Sequence, residues 1–239
     1  MYAVLRSEKT KFFSFGWCML GIIGANLVPV LFLLTSSTPI TGGEEGMLSL
    51  ILQSLYLGQL GVIVASASYF GQEYSQSVLR TTLLTQPYRV KLLFTKFVNI
   101  TVIIVLTGIV SSLLGLIVLF LQHDLEWTNS FGLRLLESVS LAMLSWILLA
   151  WITSALSIIT KSLITPIAIM LPLILGLSQM LLQVFQLAKY LPTLAVMNIY
   201  TVASVGIYLD EWLGLGVQLL WAVVLVGIAG WLFAWRGVR

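Results

Sequence analysis

Few side chains in this sequence could do chemistry, and their types and spacing exclude most of it. His123 is the sole histidine and Cys18 the sole cysteine. Neither a histidine-based metal site, nor a Ser–His triad, nor a disulfide framework can therefore be built within one chain. No GxxxxGK[ST] run is present, so the chain has no P-loop to cradle a nucleotide phosphate. The carboxylates keep to the ends of apolar runs, which speaks against a proton- or ion-coupled carrier, since those keep an acid within the membrane. Serines inside the apolar runs have no base beside them and read as helix-packing groups. The expectation is a chain that is no enzyme and holds no metal or cofactor of its own.

The chemistry left is recognition, in the polar stretch FGQEYSQSVLRTTLLTQPYRVKLLFTK from Phe70 to Lys96. Wound as a helix, Val78, Leu79 and Leu83 span an arc of roughly 140°, enough to seat one side in a groove on a soluble partner. Arg80 lies outside that arc, free to pair with acids on the partner. Pro87 ends the helix, and Arg89, Lys91 and Lys96 are placed to hold the returning chain at anionic headgroups. A plain loop, basic only because of membrane topology, is the competing reading.

The elements that must position this stretch are apolar. The chain has 239 residues, 59% hydrophobic and 9% charged, with a net charge of +3. Its basic residues are scattered among the ends of apolar runs, which fits membrane topology and excludes nucleic acid as a partner. A crossing takes roughly 20 apolar residues. The chain reads as one all-α polytopic membrane domain over 1–239, with six spans at 16–34, 47–70, 97–121, 131–159, 164–185 and 213–235. The first run is too long for a signal-peptide core and reads as a permanent anchor.

Residues 1–15 form an amphipathic helix lying along the interface. Met1, Leu5, Phe12 and Phe15 share its apolar side, and Glu8 is the odd residue within that side. In the second span, Gln53 and Gln59 need partners in protein. Gly58, Gly61, Ala65 and Ser68 make a small-residue strip for close helix approach. Arg134 and Glu137 are spaced to pair on one helix face, and Pro172 is expected to kink the fifth span. Residues 186–212, broken by Lys189, Pro192, Asn198 and Gly206, read as two half-helices dipping into the outer leaflet and returning. No inverted repeat supports a secondary transporter.

Charge sets the orientation. With six spans, Arg6, Lys9, Lys11, Arg80, Arg89, Lys91, Lys96, Lys161, Arg236 and Arg239 share one side, leaving only Arg134 and Lys189 opposite. The positive-inside rule puts both termini in the cytoplasm, with 71–90 as a cytoplasmic segment.

Three groups of residues carry a resemblance to the membrane subunits of type-2 ABC exporters, the ABC-2 permeases. Ser7, Glu8 and Lys11 fit an S-E-x-x-K opening. Glu73, Arg80, Leu83, Leu84, Pro87, Arg89, Leu92, Leu93 and Lys96 fit the pattern after the second span. Tyr190, Leu191 and Pro192 fit a Y-L-P sequence before the last. The likeness runs along the whole chain in order, departing at Ser77, where many members have Gly-Thr.

The resemblance implies that 1–15 is an elbow helix, marked by Glu8 and Lys11, and that 186–212 is a re-entrant hairpin. It also implies a coupling helix from Glu73 to Leu84 seated in a cleft of an ATPase subunit, with Glu73, Val78, Leu79, Arg80, Leu83, Leu84 and Arg89 at the docking site. Two ATPase copies holding ATP and Mg would be partners, with a second permease chain, as homodimer or paralogous heterodimer, and membrane lipid. The expected setting is a bacterial plasma membrane. The expected cargo is an amphipathic peptide, toxin or antibiotic, or another hydrophobic substrate; drugs, lipids and polysaccharide are rivals. Gln53, Gln59, Pro192 and Asn198 are candidates for the substrate path. A non-transporting scaffold or sensor using the same loop is the alternative from another class.

Overall fold

A computed structural model of the protein describes residues 2–36, 43–74, 89–122 and 128–235. Among them the chain is helical: α1 (Tyr2–Ser14), α2 (Gly16–Thr35), α3 (Glu44–Gly71), α4 (Arg89–Gln122), α5 (Asn129–Thr160), α6 (Ile164–Val184) and α7 (Glu211–Trp235). Six of these, α2 to α7, are long and apolar enough to cross a membrane, so the protein is a multi-pass membrane protein. α1 is set off from α2 by Phe15, whose extended backbone (φ −94°, ψ 114°) interrupts the helix.

α2 shows how one helix is divided between lipid and protein. Trp17, Leu20, Ile23, Leu27, Leu31 and Leu34, three and four apart, form an exposed apolar stripe, which suits a hydrocarbon solvent. The opposite face carries Cys18, Gly21, Ala25, Pro29 and Leu33 and is buried against α3. The small-residue strip works as expected, because a β-carbon at Gly61 would overlap the Ala25 backbone and one at Gly21 the Ala65 backbone. Backbones this close gain dispersion contacts where lipid supplies no hydrophobic drive. Pro29 has no N–H to give the Ala25 carbonyl. The Ser111 hydroxyl of α4 donates to that carbonyl instead, at 3.2 Å.

α3 and α5 form the centre, each packed against several neighbours. Trp146 of α5 is buried, and its ring reaches α3 only because position 58 is glycine: a β-carbon there would lie 2.7 Å from Cζ2. The turn from α5 to α6 is tight. Lys161 takes the left-handed conformation (φ 53°), and the Ser162 hydroxyl accepts from the Ile164 and Thr165 amides to start α6. α6 breaks where Pro172 leads into a wide turn at Leu173–Leu177, with Gly176 at φ 124°. The Tyr56 hydroxyl donates to the Ile174 carbonyl at 2.9 Å and satisfies a group the break exposes.

Two boundaries differ from the sequence reading. α4 begins at Arg89 rather than at 97, because hydropathy marks the apolar part of a helix and not the polar turns that extend it. The stretch 186–212 holds two 3-10 turns, Gln186–Tyr190 and Met197–Tyr200, in place of two half-helices. It is covered by protein: Leu194, Ala195, Val196, Ile199 and Tyr200 are buried, and Gly214 of α7 lets the Ala195 carbonyl come against its backbone.

Candidate functional site

Glu8, Glu73 and Lys96 lie far apart in sequence and meet in one buried cluster. The order of the helices brings them there. α1 packs against α2 and α4, α3 ends beside Glu8 in a 3-10 turn (Gln72–Tyr74), and α4 starts beside that end. On α4, Leu92, Lys96, Asn99 and Ile103 step by four, three and four, and all are buried, so one helix face carries Lys96 inward. On α1, Glu8 and Phe12 share the inward face and are also buried.

The geometry is that of an ionic knot. Lys96 Nζ is 3.2 Å from Glu8 Oε2 and 2.9 Å from Glu73 Oε1, with the three side chains 1%, 1% and 4% exposed. The contact to Glu73 is ionic and lacks the alignment of a hydrogen bond. The ammonium also sits 4.2 Å above the Tyr69 ring, a favourable place for a desolvated cation. Lys11 donates to the other Glu8 oxygen at 2.9 Å from the rim. Asn99 donates to the Tyr69 hydroxyl at 3.0 Å, and that hydroxyl donates to Glu8 Oε2 at 3.0 Å, a chain in which each bond strengthens the next. Two acids and two ammonium groups leave the cluster neutral. Phe12 closes it, edge-on to Tyr69 at 5.2 Å.

Burial pushes the Glu8 carboxyl up, but Lys96 and then Lys11 outweigh it, so the group sits below its ordinary value and stays ionised. That resolves the oddity of Glu8 on the apolar side of α1: the side faces protein, and Glu8 has a counter-charge there. It also corrects the expectation for Lys96, which is a core cation and not a headgroup contact. Lys91, one turn earlier, is exposed.

The other expected site residues fall in several places. Val78, Leu79, Arg80, Leu83 and Leu84 lie outside the described residues, and Arg89 opens α4. The exposed Arg134 reaches Glu45 of α3 at 3.9 Å, a cross-helix pair in place of the expected Glu137. Gln53 is exposed and donates to Ser49 one turn back, while Gln59 is fully buried. Pro192 is buried in its turn. Asn198 is occupied within its own loop, donating to the Val205 and Leu209 carbonyls and accepting from the Val205 amide. Tyr69 and Asn99 are the members of the knot that the sequence reading missed. The signal for Asn99 was its place one turn beyond Lys96 in an apolar run.

Among the described residues no group of three or more His, Cys, Asp or Glu could hold a metal ion. Comparison with family models, with curated proteins and with solved structures gives no match to this chain.

Proposed function

We propose that this chain is the transmembrane subunit of an ATP-driven exporter of the type-2 ABC kind. It would work beside a second permease chain with two separate ATPase subunits, and move an amphipathic or hydrophobic substrate, a peptide toxin or antibiotic foremost, outward. The Lys and Arg distribution supports cytoplasmic termini, which puts the segment after α3 on the side where ATP is held.

The observation that carries the reading is the knot. The segment 75–88 joins Tyr74, at the end of the 3-10 turn after α3, to Arg89, where α4 starts. Glu73 stands at the exit, Lys96 two turns inside the return, and the pair joins them. Glu8 adds the interfacial helix to the same ionic contact. A loop pushed by a partner transmits the push only if its two ends cannot splay, and a buried pair resists splaying because separation strands charges in a medium of low dielectric. Here both ends and α1 would move as one unit, passing the stroke to α3 and α4 together.

The test is purification followed by transport into vesicles. The intact chain is expected to bring an ATPase with it and to move an amphipathic peptide only with ATP. Arg80→Glu with Leu83→Glu is expected to abolish both. Purification without any ATPase, with transport unaltered in that double variant, defeats the proposal. Binding without any ATP-dependent movement would favour the scaffold.

A further inference from the structure

α4 and α5 run antiparallel and stay close through the middle of the bundle. The Trp151 N–H donates to the Thr101 hydroxyl at 2.9 Å. Gly108 of α4 sits against Met143, where a β-carbon would lie 3.3 Å from Cγ. Toward the end where α4 stops and α5 begins, a cavity of about 680 Å³ opens between the same two helices, a size ordinary for a ligand site. Ser112, Leu113 and Leu116 of α4 line it, with Leu133, Leu136 and Val139 of α5. Leu113, Leu133 and Leu136 are 53%, 70% and 69% exposed, so the cavity opens sideways on a face of two membrane-crossing helices.

The sequence of α5 sorts its side chains to suit this. Arg134 and Glu137 turn to a cleft shared with Glu45 of α3 and Glu211 of α7. Leu133, Leu136 and Val139, three apart, turn to the cavity. Among the described residues none that lines the cavity is charged. Its polar groups keep to the two ends. Asn129 stands at the outer end, next to Thr128 and Ser130, where the Thr128 hydroxyl bonds to Glu44 and lies 3.1 Å from that of Ser130. Ser112 stands at the deep end, and its hydroxyl already donates to the Ile109 carbonyl at 3.0 Å. The α5 wall from Asn129 to Val139 is about 15 Å long at 1.5 Å per residue. That is half of a hydrocarbon core about 30 Å thick, the depth of one leaflet.

We propose that the cavity binds one acyl chain of a phospholipid, taken from the leaflet at which α4 ends and α5 begins. Depth, polarity and opening each favour that occupant. The wall is one leaflet deep, and the polar residues of its outer end stand where glycerol and headgroup would lie. The sideways mouth admits a chain from the bilayer without lifting it into water. A helix of a second copy fits less well: at about 10 Å across it would take roughly 1,200 Å³ over the same 15 Å, more than the cavity offers. An acyl chain held here completes the wall between two helices that touch only further in. The inference rests on the six membrane-crossing helices and stands whether or not the chain is an exporter subunit.

Native mass spectrometry of the full chain, released from nanodiscs of phosphatidylethanolamine and phosphatidylglycerol, tests it. The unaltered chain is expected to keep a phospholipid through release. Ser112→Trp, which puts an indole across the deep end, is expected to cut the lipid-bound fraction about tenfold, the effect of withdrawing some two methylenes from burial. Leu27→Trp, on the exposed stripe of α2, is expected to keep as much lipid as the unaltered chain. The proposal is overturned if the unaltered chain keeps no phospholipid, or if Ser112→Trp keeps as much as Leu27→Trp. A loss of dimer in Ser112→Trp with no loss of lipid would assign the cavity to a second copy, and overturns it too. Should Ser112→Trp fail to fold, Leu136→Trp on the exposed α5 wall decides by the same comparison.

Discussion

The knot and the polar residues around Tyr200, namely Gln59 of α3 with Ser145 and Trp146 of α5, are both buried in an apolar bundle, and they differ in charge. Glu8, Glu73 and Lys96 carry full charge and find counter-charges within 3.2 Å. Gln59, Ser145 and Trp146 carry none and gather at the Tyr200 hydroxyl. The difference follows from magnitude. A stranded charge in a protein interior costs several kcal/mol, so the fold must supply its partner from protein. A neutral polar group left without a partner costs less, about 1–3 kcal/mol. The charged cluster is thus the joint whose loss costs more.

The largest expected effect breaks the joint. Lys96→Met leaves two acids buried together, and losing one partner of a buried pair costs roughly 3–5 kcal/mol. Thermal unfolding in detergent should show a large drop in midpoint, or no folded protein. Adding Glu8→Gln and Glu73→Gln to Lys96→Met should restore most of it, because the charges leave together. If the triple variant is no better than Lys96→Met, the loss comes from packing and the joint is not electrostatic.

Acid should loosen the same joint more gently. Glu8 is held below its ordinary value in the folded chain, chiefly by Lys96 against the opposing effect of burial. Its stabilising share is therefore complete above the unfolded carboxyl range, about pH 4.3 for Glu, and is lost as pH falls through the lower folded value. Stability should hold from neutrality down to about pH 5 and then decline, and Glu8→Gln should flatten that decline. An equal acid slope in both proteins would place the titrating group elsewhere.

How far these two regions could be read from sequence differs as well. Spans, the Gly58–Gly61–Ala65 strip, the tight turn at Lys161 and the break after Pro172 are local patterns, and periodicity or a single imino acid reveals them. Glu8 showed half of its meaning, a charge on an apolar face, but its partners are on two other helices, and periodicity gives a face without naming what it meets. Lys96 misled for the same reason: next to an apolar run a lysine looks like a headgroup anchor, and only tertiary packing turns it inward. The stretch 186–212 was legible as interrupted. Its Asn198 clasp was not, since the clasp depends on a loop path that no period encodes.

The neutral group at Gln59 should respond far less than the knot. Gln59→Leu removes an amide and its desolvation together, so its cost should stay within about 1 kcal/mol of zero, far below that of Lys96→Met. Unfolding midpoints of the two variants, measured side by side, set the ratio. A loss from Gln59→Leu as large as that from Lys96→Met would mean the amide has a strong direct partner.

The smallest effect belongs to the pair that looks most like the knot on paper. Arg134 and Glu45 are opposite charges on neighbouring helices at 3.9 Å, but their side chains are 64% and 71% exposed. Water and salt already screen each charge, and holding two long side chains together costs rotamer freedom, so such pairs contribute about 0–1 kcal/mol. Arg134→Ala should leave the unfolding midpoint nearly unchanged, and added salt should erase whatever difference remains. The same salt series applied to the unaltered chain should not weaken the knot, because ions cannot approach Lys96. If salt instead lowers the stability of the unaltered chain more than that of Lys96→Met, the knot is open to solvent, and the contrast between a buried joint and a surface pair fails.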